Sequence, residues 1–219
     1  MSPARAWHGL TAVVTLAALG LQLWLVVDGA AVLADDDPPS LGIRLARFVA
    51  YFTIQSNLLV VVAAVLLTRD PLRDGPAFRA LRLAGTVGIT VTGLVHFLLL
   101  RPLLDLHGAS WVADKMLHMA VPLIAVIGWL AFGPRPRVDG RAIAVAFAWP
   151  VAWLAVTLVV AGATRWVPYP FLDFREEGWA HVIVVCVAIT ALFAALIGGY
   201  RWADRRLAAS RQPEPVAAP

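Results

Sequence analysis

The apolar residues of this chain fall in six blocks, each about long enough to cross a lipid bilayer. The blocks are Leu10–Val27, Phe48–Leu67, Leu83–Leu100, Met116–Phe132, Ala142–Ala163 and Ala180–Tyr200. A helix rises about 1.5 Å per residue, so about 20 mostly apolar residues span a hydrocarbon core of about 30 Å. Composition agrees. Of the 219 residues, 60% are hydrophobic and 15% charged, whereas a soluble domain runs near half apolar and a quarter charged. The expected fold is all-α: one bundle of six transmembrane helices over residues 1–205. Residues 206–219, rich in Pro and Ala, are expected to form a disordered tail. The fourth block is short and should extend outward through Asp114 and Lys115. The first block, with Ala-Val-Leu-Ala ahead of Asp35, also resembles a signal peptide, but its apolar run is longer than most signal cores.

Charge placement gives an orientation. Positive residues near the membrane favour the cytoplasm, and acidic ones hardly count. Of the 18 Lys and Arg, twelve lie before the first block, after the sixth, or in the second–third and fourth–fifth connections. Both termini are therefore expected in the cytoplasm, in the plasma or inner membrane of the cell. This rule accounts for the basic balance, so no nucleic-acid partner is implied. The single Cys186 excludes an internal disulfide and any cysteine-based metal site.

With this orientation the ionisable groups of the blocks gather in the outer third. The second block opens with Thr53, Ser56 and Asn57, and its second half is wholly apolar. The third reaches His96 at its outer end. The fourth opens with Asp114 and His118, and the sixth with His181. A polar side chain in lipid costs several kcal/mol unless it faces a protein interior. Several helices placing theirs at one depth predict a shared polar cavity in the outer half. Residues three or four apart share a helix face. Thr53, Ser56 and Asn57 thus form one stripe, and Asp114 and His118 another. Ala84, Gly88, Thr92 and His96 lie on one small-residue row that favours close helix packing and should carry His96 inward. Pro122 has no N–H, so it frees the carbonyl of His118.

Three motifs occur in order: Tyr-Phe-Thr at Tyr51–Thr53, His-Met-Ala-Val-Pro at His118–Pro122, and Trp-Val-Pro-Tyr-Pro-Phe-Leu-Asp at Trp166–Asp173. On these the chain resembles the androgen-induced-gene family of multi-pass membrane proteins, in a bacterial branch. The likeness runs to about residue 205, and the third motif is its most specific part. The family's animal members look like intramembrane threonine hydrolases that cleave fatty acid esters of hydroxy fatty acids. The resemblance therefore implies Thr53 as nucleophile and His118 as base, acting on a lipid ester taken from the membrane, with no metal and no cofactor. Lys115 stands where animal members tend to carry a further histidine, and Pro168 is an additional residue.

The chemistry is consistent with that implication. A threonine hydroxyl is a weak nucleophile that needs an adjacent base, and histidine titrates in the right range. Asn57, one turn from Thr53, is a candidate oxyanion donor. Asp114, one turn from His118, is a candidate for holding the imidazole. Ser56, His96, His181, Tyr169 and Asp173 are the remaining candidates for oxyanion support or substrate binding. The segment Tyr169–Asp173, restricted by its prolines, is expected to fold over the cavity as a lid, with Asp173 capping the sixth helix or reaching into the site. The competing reading is a non-catalytic transporter or ligand sensor using the same pocket. A gap of more than about 6 Å between Thr53 and His118 would favour binding, since proton transfer needs hydrogen-bond reach. A haem or quinone site would need two of His96, His118 and His181 to face one planar slot.

Overall fold

Helix α1 (Pro3–Asp28) starts the bundle, with Ser2 accepting from the N–H of Arg5 as its N-cap. A short helix α2 (Leu41–Ala50) follows and runs into α3 (Phe52–Arg69). Then come α4 (Pro76–Val95), α5 (Gly108–Lys115), α6 (Val121–Phe132), α7 (Gly140–Thr164) and α8 (Gly178–Ala209). A π-helical turn and a 3₁₀ turn prolong α4 to Leu103, and a π-helical turn, Met116–Ala120, joins α5 to α6. This computed structural model describes residues 1–29 and 39–210. Among them there is no strand, and six helical spans are long and apolar enough to cross a membrane. The protein is an all-α, multi-pass membrane protein.

Helix α4 packs against α3, α6, α7 and α8, and its Val87 and Ile89 are fully buried. Its small residues permit this. A Cβ on Gly88 would lie 2.7 Å from the Trp149 ring and 3.1 Å from Ser56 Oγ, and one on Gly93 would lie 3.2 Å from the His118 carbonyl. The row Ala84–Gly88–Thr92–His96 thus faces the interior, and His96 is 2% exposed. The outward surface of α7 and α8 is apolar instead, with Val156, Val159, Val184 and Val187 all exposed, as a lipid-facing surface requires.

Three expectations are corrected. The second block does not run as one helix from Phe48. It breaks at Tyr51, which is extended at φ −64° and ψ 128°, so Thr53 is the second residue of α3. The break is stable because its carbonyls find other donors: Trp153 Nε1 reaches Ala50 O at 2.8 Å, and Gln55 Nε2 reaches Val49 O at 3.1 Å. The chain beyond residue 205 continues helical to Ala209, because Asp204 anchors this last stretch of α8. Residues 211–219 of the expected tail, and the Ala-Val-Leu-Ala segment before Asp35, lie outside the described residues.

The third correction concerns the end of the bundle holding the 70–75 and 133–139 connections. The sequence reading placed the buried ionisable groups at one end only, yet His8, Arg82 and Asp204 are buried here. Arg82 donates to the carbonyls of Gly133 and Pro134. Asp204 Oδ2 accepts the backbone N–H groups of Arg137 at 2.7 Å and Val138 at 2.9 Å. On the surface beside them, Arg79 bonds Asp74 and Asp139. That hydrogen bond, with the charge of Arg137 nearby, holds the Asp74 carboxyl well below its usual range. A loop carbonyl or amide has no water to turn to inside a bundle, so each recruits a side chain.

Candidate active site

The break at Tyr51 decides what Thr53 can do. The first N–H groups of a helix have no partner within it, and a threonine deep in a helix tends to bond its own backbone. At the second position of α3, Thr53 bonds outward instead. Its N–H donates to the hydroxyl of Tyr169 at 3.2 Å. Its Oγ1 lies 3.2 Å from the same hydroxyl and 3.3 Å from His118 Nε2.

His118 sits in the π-helical turn ahead of Pro122. Its Nδ1 lies 3.0 Å from the backbone carbonyl of Asp114 and 3.1 Å from Asp114 Oδ1. Both neighbours are acceptors, so Nδ1 carries the proton and Nε2 presents its lone pair to Thr53. Asp114 is itself buried and balanced, with its Oδ2 held by Lys115 Nζ at 2.7 Å. His96 stacks on His118, the ring centroids 4.0 Å apart and the planes 12° from parallel. Its Nε2 is 3.4 Å from Asp114 Oδ1, near enough to feel the charge but not aligned for a hydrogen bond.

The other sequence candidates divide. Tyr169 joins the site directly. Its ring packs edge-on to Tyr51 and parallel to Phe171. Burial pushes its phenol up to about 12, so it stays a proton donor through the physiological range. Asn57 is corrected from oxyanion donor to tie: it is fully buried, and its amide N–H groups go to Thr53 O at 2.8 Å and Leu117 O at 3.5 Å. Ser56 is likewise a packing contact, accepting from Thr92 Oγ1 at 3.3 Å. His181 is not brought to the site: it faces outward on α8 beside Glu177, 4.0 Å away. Asp173 neither caps α8 nor enters the cavity. Its carboxylate bonds the N–H of Arg175, and the N-cap position belongs to Glu177.

Two cavities meet at this constellation, sharing Thr53, His96, Leu100 and Tyr169. One, of about 330 Å³, is lined by Asp114 and His118 and by polar groups toward the helix ends, among them Gln22, Arg44, Arg47 and Ser110. The other, of about 90 Å³, is apolar and lies between α4, α7 and α8, against Phe147, Pro150, Leu154 and Phe193. The segment Trp166–Pro170 roofs the first, while Phe171 and Leu172 line the second. Leu172 is buried and Phe171 half-buried.

The donors of His96, Asp114 and His118 all lie within 4.8 Å of one another, which raises the question of a metal. An imidazole binds an ion through an in-plane lone pair. Two rings stacked 12° from parallel cannot both aim such lone pairs at one ion without one turning, and Lys115 already occupies Asp114. The direct stack also leaves no slot for a flat cofactor between His96 and His118. Comparison of the chain with protein-family models, curated proteins and solved structures gave no match.

Proposed function

We propose that this protein is an intramembrane hydrolase of lipid esters, with Thr53 as nucleophile and His118 as general base. The observation that carries this is the 3.3 Å contact between Thr53 Oγ1 and the bare Nε2 of an imidazole whose other nitrogen is fixed by Asp114. Separation across a packed wall would have favoured a binding protein. The resemblance to the androgen-induced-gene family supports the same assignment.

In the proposed reaction His118 Nε2 takes the hydroxyl proton as Thr53 Oγ1 attacks the ester carbonyl. The resulting oxyanion needs fixed donors. The Tyr169 hydroxyl lies 3.2 Å from Oγ1, and Oγ1 itself sits in the first turn of α3, at the positive end of the helix dipole. Collapse of the intermediate returns the proton from His118 to the departing alcohol and leaves an acyl-threonine. Water, activated by the same nitrogen, then releases the acid. The apolar cavity takes the part of the acyl chain next to the carbonyl, and the larger cavity admits water and the rest of the substrate. Purified protein should hydrolyse members of a panel of long-chain esters and react with a fluorophosphonate probe. No hydrolysis across the panel overturns the reading.

The Tyr169→Phe variant keeps the ring and its stacking but removes the donor. Its turnover is expected to fall by about 10², the worth of one oxyanion donor, with a small loss of thermal stability because the Thr53 N–H loses its acceptor. An unaltered rate would remove Tyr169 from the mechanism.

The orientation proposed is N-in and C-in, with the site opening to the outside of the cell membrane. Twelve of 18 positive residues lie at or between the ends of the bundle that hold the termini, and the site is at the other end. A reporter fusion at residue 172 should show alkaline phosphatase activity and one at residue 137 none. The reverse pattern inverts the protein and places the site toward the cytoplasm.

A further inference from the structure

Helix α2 carries Arg44 and Arg47 three residues apart, on one face, and both line the larger cavity together with Thr53 and His118. Arg47 lies 5.3 Å over the ring of Trp166. Arg44 is different: its Nε is buried and has no hydrogen-bond partner. Room is kept for it by Gly29, the residue that ends α1 at φ +92°. A Cβ there would come within 2.9 Å of Arg44 Nη1. The only carboxylate lining the cavity among the described residues is Asp114, and Lys115 and His118 already engage it. Among the described residues, then, no carboxylate engages Arg44, and its Nε lacks an acceptor. A buried donor without an acceptor costs free energy, and its fork of N–H groups matches a carboxylate or phosphate.

We infer that Arg44 is an anion subsite: it binds the carboxylate or phosphate head of an amphiphilic ligand whose single apolar chain enters the adjoining cavity between α4, α7 and α8. The two cavities join at Leu100 and Tyr169, so one molecule spans both. Binding of this kind requires no turnover. Only its use in selecting a substrate rests on the hydrolase proposal, which would then favour esters bearing an anionic group over neutral ones.

The test is equilibrium binding of radiolabelled palmitate, palmitoyl lysophosphatidate and hexadecanol to the detergent-solubilised full chain. Wild type should bind at least one anion more tightly than the alcohol, and whichever binds tighter tells carboxylate from phosphate. Arg44→Gln should weaken that anion about tenfold or more and leave hexadecanol nearly unchanged. Arg44→Lys should retain part of the preference. The control is Arg101→Gln, an exposed arginine that does not line the cavity. Equal losses in both variants would assign the effect to surface charge and overturn the subsite, as would a wild type with no preference for anions. Because Arg44 Nε satisfies no partner, Arg44→Gln should melt no lower than wild type. A clear fall would make Arg44 structural and also overturn it. An absence of ester hydrolysis, by contrast, would defeat the hydrolase proposal and leave these binding results standing.

Discussion

Replacing His118 by alanine is expected to lower the hydrolysis of long-chain esters by about 10²–10⁴, the usual worth of a positioned acid–base group. The expectation rests on the proton path. Nδ1 is committed to the Asp114 carbonyl and carboxylate, so Nε2 is the nitrogen free to take the Thr53 proton. Without it the hydroxyl must lose its proton to water, while the cavity and the phenol of Tyr169 remain. The substrate should still bind, so the loss should fall in kcat rather than in KM. Thr53→Ala should abolish both fluorophosphonate labelling and any acyl intermediate. Thr53→Ser, which keeps the oxygen, should retain part of the activity. Because nucleophile and base act as one unit, the double variant should be little worse than either single one. Activity unchanged in the Thr53→Ala, His118→Ala protein would end the hydrolase proposal.

The second large effect is on stability, at the opposite end. Asp204→Ala should destabilise the protein by about 3 kcal/mol, since hydrogen bonds to a charged group contribute about 1.5–3 kcal/mol each and Asp204 accepts two backbone N–H groups. For a chain of this size that corresponds to a drop in Tm of about 6–12 °C. The loss is large because the carboxylate is 1% exposed. Its removal leaves the amides of Arg137 and Val138 facing a bundle interior with little water to replace it. Asp204→Asn keeps an acceptor oxygen and should lose about half as much. Thermal unfolding in detergent measures this. A fall in Tm below about 2 °C would show that Arg82 and the Arg79–Asp139 pair hold the α6–α7 connection without Asp204, and ester hydrolysis should be unaffected until the protein melts.

Why did the sequence reach some of this and not the rest? The six spans were legible because bilayer thickness converts directly into a count of apolar residues. His96 pointing inward was legible from the row Ala84–Gly88–Thr92, since close packing leaves a small-residue face only one place to go. The proximity of Asp114 and His118 followed from helical spacing. Tertiary structure decided the remainder. The break at Tyr51 depends on Trp153, about a hundred residues away, supplying the donor that Ala50 O needs, and no local pattern announces it. That break turned Thr53 outward and left Asn57 to tie α3 to the fourth span rather than serve the cavity. His181 has the right chemistry but the wrong face, because α8 meets the bundle along Val182, Phe193 and Ile197, and the Asp173 carboxylate is taken by the N–H of Arg175 in its own connection. Nothing local in the sequence marks Arg82 and Asp204 for burial. They are buried because the 133–139 connection presents carbonyls and amides that only a folded bundle brings to them. A linear sequence fixes which residues must leave water. Which unpaired backbone group each polar side chain then answers is settled only when distant segments compete for it in three dimensions.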